Sequence, residues 1–350
     1  MVMGGVAYIG LMRILFYLLV ATTLSVMGKP VKAGGWDGVR LYGHAYANKD
    51  YSQEGYEFIA DHFAYHTIEK RHAHQVYGPR STQEASRKTA DRIKVLNPEA
   101  QCLFYWNMDL IYGGLYECFE GFVEKHPTWV KKSRFTVAPA PYGFDLSSEE
   151  AQQFWLQTVT NEIQNSSLDG AFLDASSKAD LNGQLEIIHA LMAQIPGTVI
   201  YNGFRYHPKK GFFGGHETLK HADGVFVEAF LSGPVNTAER AAAVLDALMD
   251  LPTEKIVICN GLSDGFGSNG SHTFSLAAYL IVAQENTYYR YGKGHHFDDK
   301  YMTYWHEDFG KELGKPLGKA QKNGLTYTRE YEKVSVSLNL QEQQAKITWK

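Results

Sequence analysis

The chain has 350 residues, a formal net charge of −4 and 44% hydrophobic residues. Such a balance excludes the basic field that holds nucleic acid and leaves room for a sizeable core. Three cysteines without a CxxC pair give no support to a zinc ribbon or a thioredoxin-like centre.

Met12-Arg13 precedes "ILFYLLVATTLSVMG" (14–28), and Val31-Lys32-Ala33 follows. One positive charge, an apolar run and a small-residue site match a secretory signal. Residues 2–27 are also long and apolar enough for a membrane anchor. Both readings of residues 1–33 carry the globular part out of the cytoplasm, secreted or periplasmic, with membrane contact only where the leader is retained.

After Gly34, short apolar runs alternate with helical patterns. The runs are 39–46, 62–69, 101–107, 170–175, 198–203, 224–230, 255–261 and 286–292. Each is rich in Val, Ile, Phe and Tyr, as strands covered on both faces are. Helices are expected at 83–95, 148–165, 180–195, 235–250 and 272–285. The second opens on Ser147 or Ser148 as a cap, with Phe154, Leu156, Val159 and Ile163 as its apolar face. Strands separated by helices imply parallel pairing with right-handed crossovers. Eight of them predict a (β/α)8 barrel over 34–313. No GxGxxG follows the first strand, which removes the usual reason to prefer a dinucleotide-binding sheet.

Residues 108–145 lack clean periodicity, and a connection of that length is functional or disordered. Tyr112, Tyr116, Trp129 and Tyr142 argue for a folded lid or groove wall. The tail changes period: 325–331, 334–340 and 345–349 alternate strictly, predicting a small antiparallel sheet over 314–350 with one wet face. Cys102 and Cys259 fall in strand-like runs and read as buried small hydrophobes; a Cys102–Cys118 bridge stays open as an alternative.

Sites of such barrels form where strands end, at the carboxyl-terminal face. The "DGAFLDASSK" stretch ends its apolar run on Asp174, and "GVFVEAF" delivers Glu228. Asn107, Asn202 and Asn260 end three further runs, with Asp109 and Asp264 just beyond. Strands four and six are near enough for Asp174 and Glu228 to face each other across one bond. Two such acids are the equipment of glycoside hydrolysis: one protonates the leaving oxygen, the other attacks or activates water. Capping a helix or pairing with a base is the competing use of either acid alone.

Around the pair, Asn202 and Asn260 are candidates for sugar hydroxyls, and Trp106 for stacking on a sugar face. Tyr42, His44 and Tyr46 are expected on the pocket floor. Asn107, Asp109 and Asp264 are candidate hydroxyl ligands, and Trp305 within "YMTYWHEDFG" a sugar subsite. Asp169 precedes its strand, at the end away from the site, and is assigned to structure. Aromatic content of 13%, with 22 Tyr and 6 Trp, suits a carbohydrate groove as well as a core.

"RKTADRIKVLNPEAQCLFYWN", "GFDLSSEEAQQFWLQTV", "DGAFLDA", "VIYNG" and "DGVFVEAF" together resemble hypothetical glycosyl hydrolase family 15. The resemblance spans roughly 38–340. The layout is similar to that of the endo-α-1,4-polygalactosaminidases and, more distantly, of the family 66 dextranases. It implies Asp174 as nucleophile, Glu228 as acid/base and a retaining outcome, on a carbohydrate substrate and without cofactor or metal. Two other readings compete. One is a carbohydrate-binding barrel without catalysis. The other is a metal-dependent hydrolase using the histidines at 62–74 and the HHxDD loop at 295–299, although strand one has a single His44 where a metal pair wants HxH.

Overall fold

The computed structural model describes residues 35–45, 48–137, 140–269, 271–292 and 303–350. Residues 1–34, Tyr46 and the HHxDD loop lie outside the described residues. No helix among those described is long and apolar enough to cross a membrane.

Eight parallel strands close into a barrel: β1 (Leu41–Ala45), β2 (Phe63–Ile68), β3 (Gln101–Asn107), β4 (Gly170–Asp174), β5 (Thr198–Asn202), β6 (Gly224–Val227), β7 (Ile256–Leu262) and β8 (Thr287–Gly292). Each pairs with its neighbours in chain order, and β8 returns to β1. Every expected run coincides with one of them, the seventh strand reaching one residue past its run, to Leu262. The sixth is shorter than its apolar run, since the chain turns at 228–230, so Glu228 lies one residue past the strand.

Helices pack outside: α1 (Gln53–His62), α2 (Thr82–Leu96), α3 (Glu149–Gln164), α4 (Leu185–Met192), α5 (Ala238–Met249) and α6 (Thr273–Val282). Ser148 caps α3 by accepting the Ala151 N–H at 3.2 Å, with two glutamates in the first turn. Its inward stripe is Ala151, Trp155, Val159 and Ile163. Phe154 and Leu156, expected on that face, are only partly buried. The helix expected over 180–195 is two pieces, Ser176–Leu181 and Leu185–Met192. Gly183 between them takes the left-handed conformation that ends a helix. α1 was hidden by its own Gly55 and polar residues, yet Ser52 caps it by accepting the Gly55 N–H at 3.1 Å.

The 108–145 connection is folded. Leu110–Ile111, Val130–Val137 and Ala140–Phe144 form a three-stranded antiparallel sheet that the sequence pattern conceals. Tyr112 and Tyr116 are buried beneath it, while Tyr142 is exposed.

The tail forms β9 (Gln321–Asn323), β10 (Thr326–Glu330), β11 (Val334–Asn339) and β12 (Gln344–Trp349), paired in order. β11 alternates buried and half-buried residues as expected. This sheet packs on α6, whose residues from Phe274 to Val282 are all buried, the condition under which a helix is apolar all round. Arg329 Nη1 donates to the carbonyls of Leu280, Ile281 and Ala283 at 3.1, 2.8 and 2.6 Å, and Tyr331 OH donates to Leu280 at 2.6 Å. A cation and a hydroxyl thus take up the carbonyls that the end of α6 leaves open.

All three cysteines are free thiols, so the Cys102–Cys118 bridge does not form. Burial pushes the Cys102 thiol up to about 12.

Candidate active site

Side chains alternate along each strand, so only every second residue points into the barrel. That parity decides which strand-end residues meet. Tyr105 and Asn107 on β3, Asp174 on β4, Asn202 on β5, Asn260 on β7 and Arg290 on β8 share the inner face, and Glu228 follows β6.

Asn202 stands between the two acids. Its Nδ2 donates to Asp174 Oδ1 and to Glu228 Oε2, each at 3.0 Å. Two bonds of that length from one nitrogen keep the two oxygens within about 6 Å. The hydrogens of a planar amide diverge by about 120°, which sets the acceptors about 5 Å apart.

Asp174 is otherwise held by hydrogen bonds. Oδ1 accepts the Ala175 N–H at 2.7 Å, and Oδ2 accepts the Tyr105 hydroxyl in a short bond. Ala175 is in the left-handed region at φ 74°, a costly conformation for a side-chain-bearing residue, and this turn aims its N–H back at the carboxylate. Ser176 then donates to the main-chain carbonyl of Asn202, tying the bridging residue to the same turn. Burial alone would raise the Asp174 pKa. The nearby Lys70 ammonium and the bonds from Tyr105 and Asn202 outweigh it and hold the carboxyl below its ordinary value.

Glu228 is steadied through its backbone. Asn260 Nδ2 donates to the Glu228 carbonyl at 3.0 Å, while Asn260 Oδ1 accepts from Arg290 Nη1 at 2.5 Å. Arg290 Nε also donates to the His44 carbonyl at 3.3 Å. Burial brings the Arg290 guanidinium down to about 9 despite the opposing pull of Glu228.

Lys70, just past β2, donates to both Glu69 oxygens at 3.1 and 3.0 Å. Its ammonium lies over the Tyr105 ring at 4.0 Å and the Tyr112 ring at 5.4 Å. Glu69 also meets His44 Nε2 at 3.3 Å, and burial keeps His44 below its ordinary pKa. The inner layer beneath is aromatic: His44 packs edge-on against Phe172 at 4.8 Å, and Tyr42 lies 5.7 Å from Phe226. Tyr42 and His44 are buried in this inner layer, Tyr42 with its hydroxyl on Thr67 at 2.5 Å.

Other expectations are corrected. Trp106 is on the outer face of β3, fully buried against Phe104, Tyr116, Phe119 and Trp155, and cannot stack on a ligand in the mouth. Asn107 spends its oxygen on the N–H groups of Asp109 and Leu110, at 3.0 and 2.6 Å, shaping the turn after β3. Asp109, a candidate hydroxyl ligand, is fully buried and accepts from Asn182 at 2.7 Å; burial raises its pKa. Asp264 lies exposed on the turn after β7. Trp305 lies outside the wall, against His62 and Phe58 of α1 at 4.5 and 6.4 Å. Asn202 and Asn260, candidates for sugar hydroxyls, direct their amide nitrogens to the acids and to the Glu228 backbone. Asp169 is structural as expected, bonded to Lys94 and to the Cys102 N–H.

The sequence reading missed Tyr105, Lys70, Glu69 and Arg290. Parity from Asn107 would have found Tyr105, and a lone arginine within "NTYYRYG" was a visible signal for Arg290.

A family model described as hypothetical glycosyl hydrolase family 15 matches residues 94–335, from α2 into β11. Comparison with curated protein sequences returns no match. Among solved structures, Ttha1563 from Thermus thermophilus is 10% identical with a TM-score of 0.53, covering 87% of this chain and 88% of that one. The cyclic α-maltosyl-(1→6)-maltose hydrolase of Arthrobacter globiformis, in complex with maltose, is 14% identical with a TM-score of 0.50, covering 86% and 91%. At such identities these two likenesses concern the fold.

Proposed function

The chain belongs to hypothetical glycosyl hydrolase family 15 and is a glycoside hydrolase, and from that premise we propose that Asp174 and Glu228 are its catalytic pair, acting with retention of configuration. The observation that carries this reading is the Asn202 amide, shared between the two carboxylates at 3.0 Å each. The spacing it implies, about 5 Å, suits retaining enzymes, whose carboxyl groups stand about 5–5.5 Å apart. Inverting enzymes need about 6.5–9.5 Å to admit a water.

The roles follow from surroundings. Asp174 is kept ionised by three donors and the Lys70 ammonium, which suits a nucleophile. Glu228 gives its proton to the glycosidic oxygen as the Asp174 carboxylate attacks the anomeric carbon and the sugar–oxygen bond breaks. In the second half-reaction Glu228 takes a proton from water, whose oxygen attacks the same carbon and releases Asp174. Asn202 fixes the separation of the acids, while Asn260 and Arg290 fix the turn that carries Glu228. Tyr112 and the 108–145 sheet supply a wall for a saccharide. The apolar leader of residues 14–28 supports export, so the substrate is an extracellular or periplasmic polysaccharide or oligosaccharide.

The test is a polysaccharide and aryl-glycoside panel, followed by proton NMR of the first-formed anomer. Retention, with azide restoring turnover and yielding a glycosyl azide in Asp174→Ala, supports the assignment. Inversion, or an Asp174→Ala enzyme as active as the parent, would overturn it.

A further inference from the structure

No α-helix follows β8 among the described residues; residues 303–313, with a single 3-10 turn at Glu307–Phe309, run as a strap over the β8–β1 seam, where the strands meet in one register pair, Leu41↔Tyr289. Tyr304 packs on Tyr291 at 5.1 Å, Phe309 on Tyr289 at 5.9 Å, and Leu313 donates its N–H to the Trp36 carbonyl at 2.9 Å. A narrow cleft lies at the seam, bounded by Tyr291, Arg290, Tyr304 and Phe309.

Where the strap meets the start of α6, three ligand-type side chains converge. His272 precedes α6 and is more than nine-tenths buried, yet its Nε2 has no hydrogen-bond partner. That nitrogen lies 3.6 Å from Asp308 Oδ2, and His306 Nδ1 lies 3.4 Å from the same oxygen. One ligand atom from each residue falls within 4.8 Å of the other two.

We propose that His272, His306 and Asp308 form a divalent metal site of the zinc class that pins the strap to α6. Ligands at 2.0–2.2 Å around a tetrahedral zinc are separated by about 3.3–3.6 Å, which covers the 3.6 and 3.4 Å distances from Asp308 Oδ2. The outer contacts are those such ligands use. His272 Nδ1 faces the Tyr304 hydroxyl at 3.5 Å, and Asp308 Oδ1 accepts from Lys311 at 2.6 Å. Two imidazoles and one carboxylate leave a fourth position for water and select zinc or cobalt over calcium or magnesium. His306 Nδ1 now accepts the Asp308 N–H at 3.2 Å, so the metal must displace that bond. The site therefore binds more weakly than one with four dedicated ligands.

This role is structural and stands apart from the acids, so it is tested without substrate. The full chain is stripped with chelator and titrated with zinc, then with cobalt, by calorimetry and visible spectroscopy. One equivalent of zinc is expected, with a rise in Tm and the intense absorption of four-coordinate cobalt. His306→Gln and Asp308→Asn alter half-exposed or partly exposed side chains; both should keep the parent's circular dichroism and lose all three signals. Absence of stoichiometric zinc binding by the parent overturns the proposal. So does retention of its affinity and cobalt spectrum in both variants, which would put the metal on other histidines.

Discussion

The mouth of the barrel and the strap after β8 draw on the same residue types: aromatic rings, histidines and acids. At the mouth those groups are cross-linked. Each carboxylate shares a donor with another group, and the donors are themselves tied to neighbouring strands. In the strap the rings pack against the outside of the wall, and His272 beside it, just before α6, has among the described residues no carboxylate oxygen nearer to its Nε2 than Asp308 Oδ2 at 3.6 Å. A residue's value to the site is thus set by the strand it ends and the face it points to, not by its chemistry. Trp106 and Asn107 make the point within two positions: one is sealed in the outer core, the other faces inward and shapes the turn into the 108–145 sheet.

The comparison is broken most severely by Asp174→Ala, expected to lower kcat by about 10⁴-fold with the fold intact, measured by turnover and circular dichroism. If the mouth were a binding groove alone, affinity would change and no turnover would exist to lose. Glu228→Gln should cost on the order of 10²–10⁴-fold, less on aryl glycosides with good leaving groups, where protonation matters least.

Trp106→Ala tests the opposite region. Emptying a fully buried indole site should cost about 3–5 kcal/mol in denaturant unfolding, while KM of the folded enzyme stays at the parent value. A raised KM with unchanged stability would return Trp106 to the groove.

Asn202→Ala removes a donor shared by two carboxylates and should lower kcat by roughly 10–100-fold, as the loss of a charged hydrogen bond predicts, with a smaller effect on KM. The acid limb of the pH profile should also move upward, because Asp174 loses one of the bonds that hold its pKa down. An unchanged profile would mean that Asn202 does not set the acids.

Asp50 sharpens the contrast from outside the mouth. Burial would raise its pKa, but His72, Tyr56 and Arg92 win and bring the carboxyl down to about 2. A group depressed in the folded state stabilises above its unfolded value of 3.8, and that contribution is lost as pH falls through about 2. Solvent reaches part of this carboxylate and screens its partners, so Asp50→Asn should cost about 1–2 kcal/mol at neutral pH and flatten the acid limb of stability. Buried His66, held well below its ordinary value, adds an earlier loss that begins as pH drops under 6.5, where only the unfolded chain takes up the proton. Smallest of all, Trp305→Ala should leave kcat and KM within about twofold, since the indole rests on α1.

Much of the fold was legible because a strand covered on both faces must be apolar along its length, and eight such runs leave few topologies. The acids were legible for the same reason: a carboxylate ending an apolar run has no cheap burial, so a partner was implied. What stayed hidden needed a third dimension. Gly55 and the polar residues around it obscured α1, and the 110–144 sheet uses short strands with irregular register. Asn202 read as a sugar ligand because strand order places β5 between the acids but does not say that its amide turns to both carboxylates.

The grip of Arg329 and Tyr331 on the last carbonyls of α6 has a consequence for biogenesis. A nascent chain that has just emitted β8 has every barrel strand, yet α6 still shows a bare greasy flank, and its covering arrives only with the strands from Gln321 onward. Full burial of α6 waits for the far end of the polypeptide, and an enzyme cut short near Gly314 should expose that flank and precipitate.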